Sequence, residues 1–257
     1  QTFWEHLDEL RSSLIRMIIA VAVCTIVVFC FKDALFGVIL APQQSGFITY
    51  RVLQQITERL TEAGEGSVMS PMSVRLINTG LAQQFLLHVK TSCYVGFILA
   101  SPYIIYLLFR FISPALYRNE RRYAVQLITG GYVMFLLGMM LSYFLIFPLT
   151  FSFLGTYQVS DVVENTVTIE SYIDTLLMIS LSMGLVFEIP VVCWIMGRMG
   201  IINAKMMCHY RRHVIVALLV IGAVITPTAD VFTLLLVSMP MWLLYEFSIH
   251  IVRRIRY

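Results

Sequence analysis

The feature that most limits what this chain can fold into is the recurrence of long apolar runs. About 20 apolar residues are needed to cross roughly 30 Å of hydrocarbon as a helix. Six runs qualify or come close: 14–31, 91–112, 124–147, 176–196, 214–225 and 231–249. The fifth is short. It meets the sixth at Thr226-Pro227-Thr228-Ala229-Asp230, where Pro227 stops one helix and the next can begin. Composition agrees, with 59% hydrophobic and only 13% charged residues. A soluble domain carries about 25% charged residues. The expected fold is therefore an all-α integral membrane protein of six transmembrane helices, the last two short, forming a single membrane domain over 1–257.

An even number of spans puts both ends of the chain on one side, and charge says which. The segments before the first span and at 113–123, 197–213 and 250–257 hold Arg11, Arg16, Arg118, Arg121, Arg122, Arg198, Lys205, Arg211, Arg212, Arg253, Arg254 and Arg256. The other side holds Lys32, Arg51, Arg59, Arg75 and Lys90, and its loop 155–174 has four acids without a Lys or Arg. Cytoplasmic loops of membrane proteins are enriched in Lys and Arg, so both termini are expected inside. The first run follows an acidic head and no A-x-A site comes after it. It therefore reads as a span and not as a cleavable signal.

Segment 32–90 is expected to cap the outer mouth of the bundle. Within it, 50–63 places Val52, Leu53, Ile56 and Leu60 on one helical face. Ser70-Pro71 has the form of a helix start. Pro102, Pro190 and Pro240 fall inside spans and deprive the carbonyls of Ile98, Val186 and Leu236 of helical partners. Such prolines fit either a concave bundle or merely irregular packing.

Few residues carry chemistry. The five cysteines are scattered and form no CxxC pair. Cys208, His209 and His213 lie beside Arg211 and Arg212, which disfavours a cation there. No hydrolase, P-loop or zinc motif occurs, and no basic run interleaved with aromatics suggests nucleic acid. No enzyme activity, metal or cofactor is expected. Glu188, in Phe187-Glu188-Ile189-Pro190, is the informative carboxylate inside a span, where insertion costs about 2.5–3.5 kcal/mol. Ser180, Leu181 and Gly184 share its helical face. It lines a groove or is a protonated acid bonded within the bundle. The head carries Glu5, Asp8 and Glu9, with Phe3, Trp4, Leu7 and Leu10 on one face, and reads as an amphipathic helix along the inner surface. Glu120 stands among Arg118, Arg121 and Arg122, either as a binding carboxylate or as a favourable charge at the start of the third span.

Taken together, these motifs resemble the TatC family, the multispanning receptor of the twin-arginine translocase. His6-Leu7-Asp8-Glu9-Leu10-Arg11 resembles the family's N-terminal motif. Ser113 to Arg122 is similar to its first cytoplasmic loop, Phe187-Glu188-Ile189-Pro190 to its fourth span, and Thr226-Pro227 with Asp230, Pro240 and Glu246 to its final hairpin. The resemblance implies a concave, glove-like receptor in a prokaryotic inner membrane. It would bind the Arg-Arg signal peptides of folded proteins through Glu120 and Glu9, with Arg11 and Phe111 on the same surface. It implies Glu188 on the concave face, Thr226 at the docking patch for TatA- and TatB-type single-span partners, an oligomeric complex, and transport driven by the proton-motive force. Leu234 stands where the family often has glutamine, and Thr233 is a candidate to replace that hydrogen bonding. Segment 43–70 is longer than is usual in the family. The rival reading is a proton-coupled small-solute secondary transporter using Glu188. No internal repeat supports it.

Overall fold

In the computed structural model, residues 3–44, 46–60, 75–112, 124–157, 166–226 and 230–255 are described. Almost all of them are helical. In chain order the helices are α1 (Phe3–Phe29), α2 (Lys32–Ile39), α3 (Ile48–Leu60), α4 (Gln83–Ile112), α5 (Ala124–Leu141), α6 (Phe147–Thr156), α7 (Ile169–Val186), α8 (Ile189–Arg198), α9 (Ala204–His209), α10 (Arg211–Ile225) and α11 (Val231–Arg253). A two-residue parallel pair, β1 (Leu76–Ile77) and β2 (Val167–Thr168), is the departure from an all-α fold.

Five helical segments are long and apolar enough to cross a membrane: Leu10–Phe29, Gln83–Leu108, Ile128–Thr156, Ile169–Arg198 and Val231–Arg254. The expected six are thus five, plus α10. With 15 residues α10 is too short to count among them. The expected boundaries also shift. The first span and the acidic head form one uninterrupted helix, because Arg11-Ser12-Ser13 supplies no breaker. The head therefore shares the axis of the span and is not a separate helix lying along the surface.

The third span runs beyond Phe147 to Thr156. Between α5 and α6 the backbone winds as a π-helix over Ser142–Ile146, and the Phe147 N–H reaches back to the Ser142 carbonyl. Pro148 brings no N–H to this turn. The Phe144 carbonyl instead accepts the Thr49 hydroxyl. Tyr50 donates to the Pro148 carbonyl at 3.2 Å, and burial raises its hydroxyl to a pKa of about 12, so it remains a donor. These bonds set the orientation of α3. Its inward face is Thr49, Tyr50 and half-buried Leu53, whereas Val52, expected on that face, is exposed. Residues 61–74, including Ser70-Pro71, lie outside the described residues.

Two packed clusters fill the bundle. At the cap end, Tyr172 of α7 is 1% exposed. The rings of Phe147 and Phe151 meet it edge-on, each with centroids 5.0 Å away. Its hydroxyl donates to the Ile39 carbonyl at 3.0 Å, and Tyr143 donates to the Val38 carbonyl at 2.6 Å. The other cluster joins Ile179 and Met183 of α7 to Met207, Leu218, Val237, Met241 and Ile249. Of the three span prolines, two lie inside continuous helices and one stands at a helix start. Pro102 lies inside α4, and the Ile98 carbonyl accepts Ser101 Oγ at 2.6 Å. Pro190 opens α8 and Pro240 lies within α11.

Candidate functional site

Helices α1 and α4 pack side by side and run in opposite directions, since Phe29 stacks on His88 while the earlier Thr25 meets the later Gly96. Their contact is tight at Gly96, where an added Cβ would lie 2.8 Å from the Thr25 Cα. At 1.5 Å per residue, Glu9 lies about 24 Å along α1 from that point and Phe111 about 22 Å along α4. Both go toward the same end of the bundle. Backbone geometry thus brings Glu9, Arg11 and Phe111 to one end, with Arg11 exposed. Glu120 lies in 113–123, outside the described residues, in the segment that leaves α4 directly after Ile112.

The fourth span is two helices end to end. α7 stops at Val186 and α8 starts at Ile189, with Glu188 at the N-cap position of α8. The break removes Glu188 from the stripe expected for it. Ser180 accepts from Ser142 at 3.2 Å, and Phe135 closes over Gly184, where a Cβ would meet its ring at 2.8 Å. That stripe is therefore sealed by α5. Glu188 instead lines a cavity of about 250 Å³ with Phe97, Ser101, Ile104, Leu108 and Leu185. Its Oε1 is buried and has no hydrogen-bond partner. Leu108, on the wall of this cavity, comes three positions before Phe111.

At the α10–α11 turn, Thr226 and Thr233 are both buried, at 7% and 0% exposure. Thr226 spends its hydroxyl on the Gly222 carbonyl. The Thr233 N–H donates to Asp230 at 2.6 Å, which caps α11. The Thr233 hydroxyl has no partner. Neither hydroxyl is presented at the surface. Among the described residues the exposed groups around them are apolar: Val224, Val231 and Phe232.

Two ion pairs were not anticipated. Arg211 meets Glu246 at 2.8 Å and ties the start of α10 to α11. Lys90 meets Asp174 and ties α4 to α7 at the cap end. Glu246 is a carboxylate within a long apolar run, which was the available signal for the first. The acid-rich loop opposite Lys90 was the signal for the second.

The class defined so far is a multi-span helical membrane protein with a broken fourth span and a lone carboxylate on an apolar cavity. A family model described as "Sec-independent protein translocase protein (TatC)" matches residues 5–240. A protein of that name from Blattabacterium sp. subsp. Periplaneta americana is 32% identical over 97% of this chain and 94% of its own length. The one from Escherichia coli K12 is 32% identical over 96% and 86%. A solved structure described as "Crystal Structure of Twin Arginine Translocase Receptor- TatC" superposes with a TM-score of 0.76 at 32% identity, covering 96% of this chain and 98% of the other. The chain belongs to the TatC family of Sec-independent protein translocase subunits.

Proposed function

We propose that this chain is the receptor and core subunit of a twin-arginine translocase, working without catalytic turnover of its own. It binds Arg-Arg signal peptides of folded proteins for export across a prokaryotic cytoplasmic membrane, driven by the proton-motive force. Family membership over most of the chain carries this reading. The convergence of Glu9, Arg11 and Phe111 beside the segment that bears Glu120 supports it.

Two carboxylates suit two guanidinium groups. Each arginine offers a rigid fork that a lysine lacks, and a hydrogen bond to a charged group contributes about 1.5–3 kcal/mol. Arg118, Arg121 and Arg122 would repel the incoming dication, and the acidic head offsets them. In this reading the apolar part of the signal peptide lies along the cavity that passes Leu108 toward Glu188. α10 completes a six-span, glove-like bundle by crossing a thinned bilayer, since its 15 residues reach about 22 Å. In this reading both termini face the cytoplasm, as the arginine-rich segments on that side favour. TatA- and TatB-type helices dock on the apolar surface over Thr226 and Thr233, within an oligomeric complex.

A proton-coupled solute transporter would need several polar groups converging on its substrate. Among the described residues Ser101 is the other polar side chain at the Glu188 cavity, which favours the receptor. The test is site-specific crosslinking of a twin-arginine signal peptide to the membrane-inserted protein. Glu120→Gln should remove the crosslink while insertion persists. An undiminished crosslink would overturn the assignment of Glu120.

A further inference from the structure

A second cavity, of about 500 Å³, lies at the arginine-rich end between α9 and the end of α11. We propose that it holds the phosphate of an anionic phospholipid headgroup. Among the described residues its polar lining consists of Asn203, Lys205 and Arg253, beside the thiol of Cys208, with no acid. Lys205 and Arg253 are exposed, and among the described residues neither takes part in an ion pair. Asn203 uses its Oδ1 to accept the Met206 N–H at 2.8 Å, which leaves its amide N–H groups as donors. Two cations and an amide donor form a phosphate-binding set.

The rest of the wall is largely hydrocarbon. Ala204, Val252 and Ile255 line it. A free phosphate gains nothing from such a wall, whereas a glycerol backbone and the first methylenes of an acyl chain do. The position suits a lipid as well. Arg253 closes the last span. Arg198, at the end of α8, lies 5.2 Å from the Trp194 ring centroid. Tryptophan and arginine at a span end mark the headgroup level of a bilayer.

The cavity is built before any lipid arrives. Gly200 takes a left-handed φ of 72°. The Ile201 and Gly200 N–H groups then cap α8 through the carbonyls of Met196 and Gly197, at 3.0 and 3.1 Å. This turn sends the chain back toward α11. Tyr245 fixes α9 there by donating to the Met207 carbonyl at 2.9 Å. Ile255 sits on Gly197, where a Cβ would lie 2.9 Å from its Cδ1.

Native mass spectrometry of the full-length detergent-purified protein tests the assignment, with thermal unfolding as the second readout. The probes are phosphatidylglycerol, phosphatidylcholine and inorganic phosphate. Wild type should retain phosphatidylglycerol over phosphatidylcholine and unfold at a higher temperature with it. Each cation beside an anionic lipid contributes about fivefold, so Lys205→Gln with Arg253→Gln should lower the preference by about tenfold or more. Lys205→Arg with Arg253→Lys should keep it and thereby exclude a folding defect. Equal retention of the two lipids by wild type would overturn the proposal, as would an unchanged preference in the glutamine variant or its loss in the charge-conserving variant. An equal thermal shift with inorganic phosphate alone would overturn the lipid assignment in favour of a free-anion site.

Discussion

At the cap end of the bundle, Thr49, Tyr50, Tyr143 and Tyr172 each donate a hydroxyl to a backbone carbonyl of another element. At the basic end, where α8, α9, α10 and α11 meet, Tyr245 alone makes such a bond among the described residues. The polar groups there are mainly cations: Arg198, Lys205, Arg211 and Arg253. Neutral hydroxyl–carbonyl pairs satisfy both partners within the protein and leave nothing to recruit. Of the exposed cations, Lys205 and Arg253 take part in no ion pair among the described residues and remain open to anions from outside. The cap end is closed chemistry and holds shape. The basic end is open chemistry, where a signal peptide met by acidic residues and a lipid met by basic ones would both bind.

The comparison can be broken most directly at the cap. Thr49→Val with Tyr172→Phe should cost about 2–5 kcal/mol in all, because each change leaves a carbonyl without its donor. Hydrogen exchange should accelerate over 32–55 and stay unchanged in α11. Equal acceleration at both ends would show that they are not separate units. A double-mutant cycle on Glu9 and Glu120, read by signal-peptide binding, comes next. A shared site predicts a coupling of about 0.5–3 kcal/mol, and additivity within error would separate the two carboxylates. The smallest effect is expected for Arg211→Gln. The pair's side chains are 46% and 27% exposed, so solvent screening should hold the loss to about 1 kcal/mol or less. A larger fall in thermal stability would mean that the basic end relies on internal pairing after all.

Much of this was legible in the sequence, but unevenly. The long spans showed because crossing a membrane demands length and apolarity, and both are counted directly. Which face of each span lies inside did not show. Lipid and protein interior are both apolar, so periodicity in hydrophobicity loses its meaning. In this protein Ile18, Ile26 and Leu235 are exposed, while Thr91, Ser92, Ser142, Thr233 and Ser248 are fully buried. Small hydroxyl residues mark the inside better than leucine does. On α3, Leu53 is half-buried as expected but Val52 is exposed, because the hydroxyl bonds of Thr49 and Tyr50 turn those residues inward and hydrophobic periodicity does not register them. The change of face at Glu188 depends on a helix break two residues before Pro190, and a stripe drawn at 3.6 residues per turn cannot register it. The candidate site was legible as motifs. Its convergence was not, because it depends on the close approach of α1 and α4 at Gly96.

The π-helical stretch at Ser142–Ile146 has a consequence for the whole third span. One additional residue in a turn rotates everything beyond it by about 100°. The span is therefore one rod with two faces out of phase. Before the stretch, Phe135 and Gly138 are turned to the broken fourth span. After it, Phe147 and Phe151 are turned to Tyr172 and the cap. A single-residue deletion within 142–146 would leave a perfectly good helix and still spoil the molecule, because only one half could keep its neighbours. The spare residue works as a phase shifter that lets one membrane crossing serve two otherwise incompatible partners.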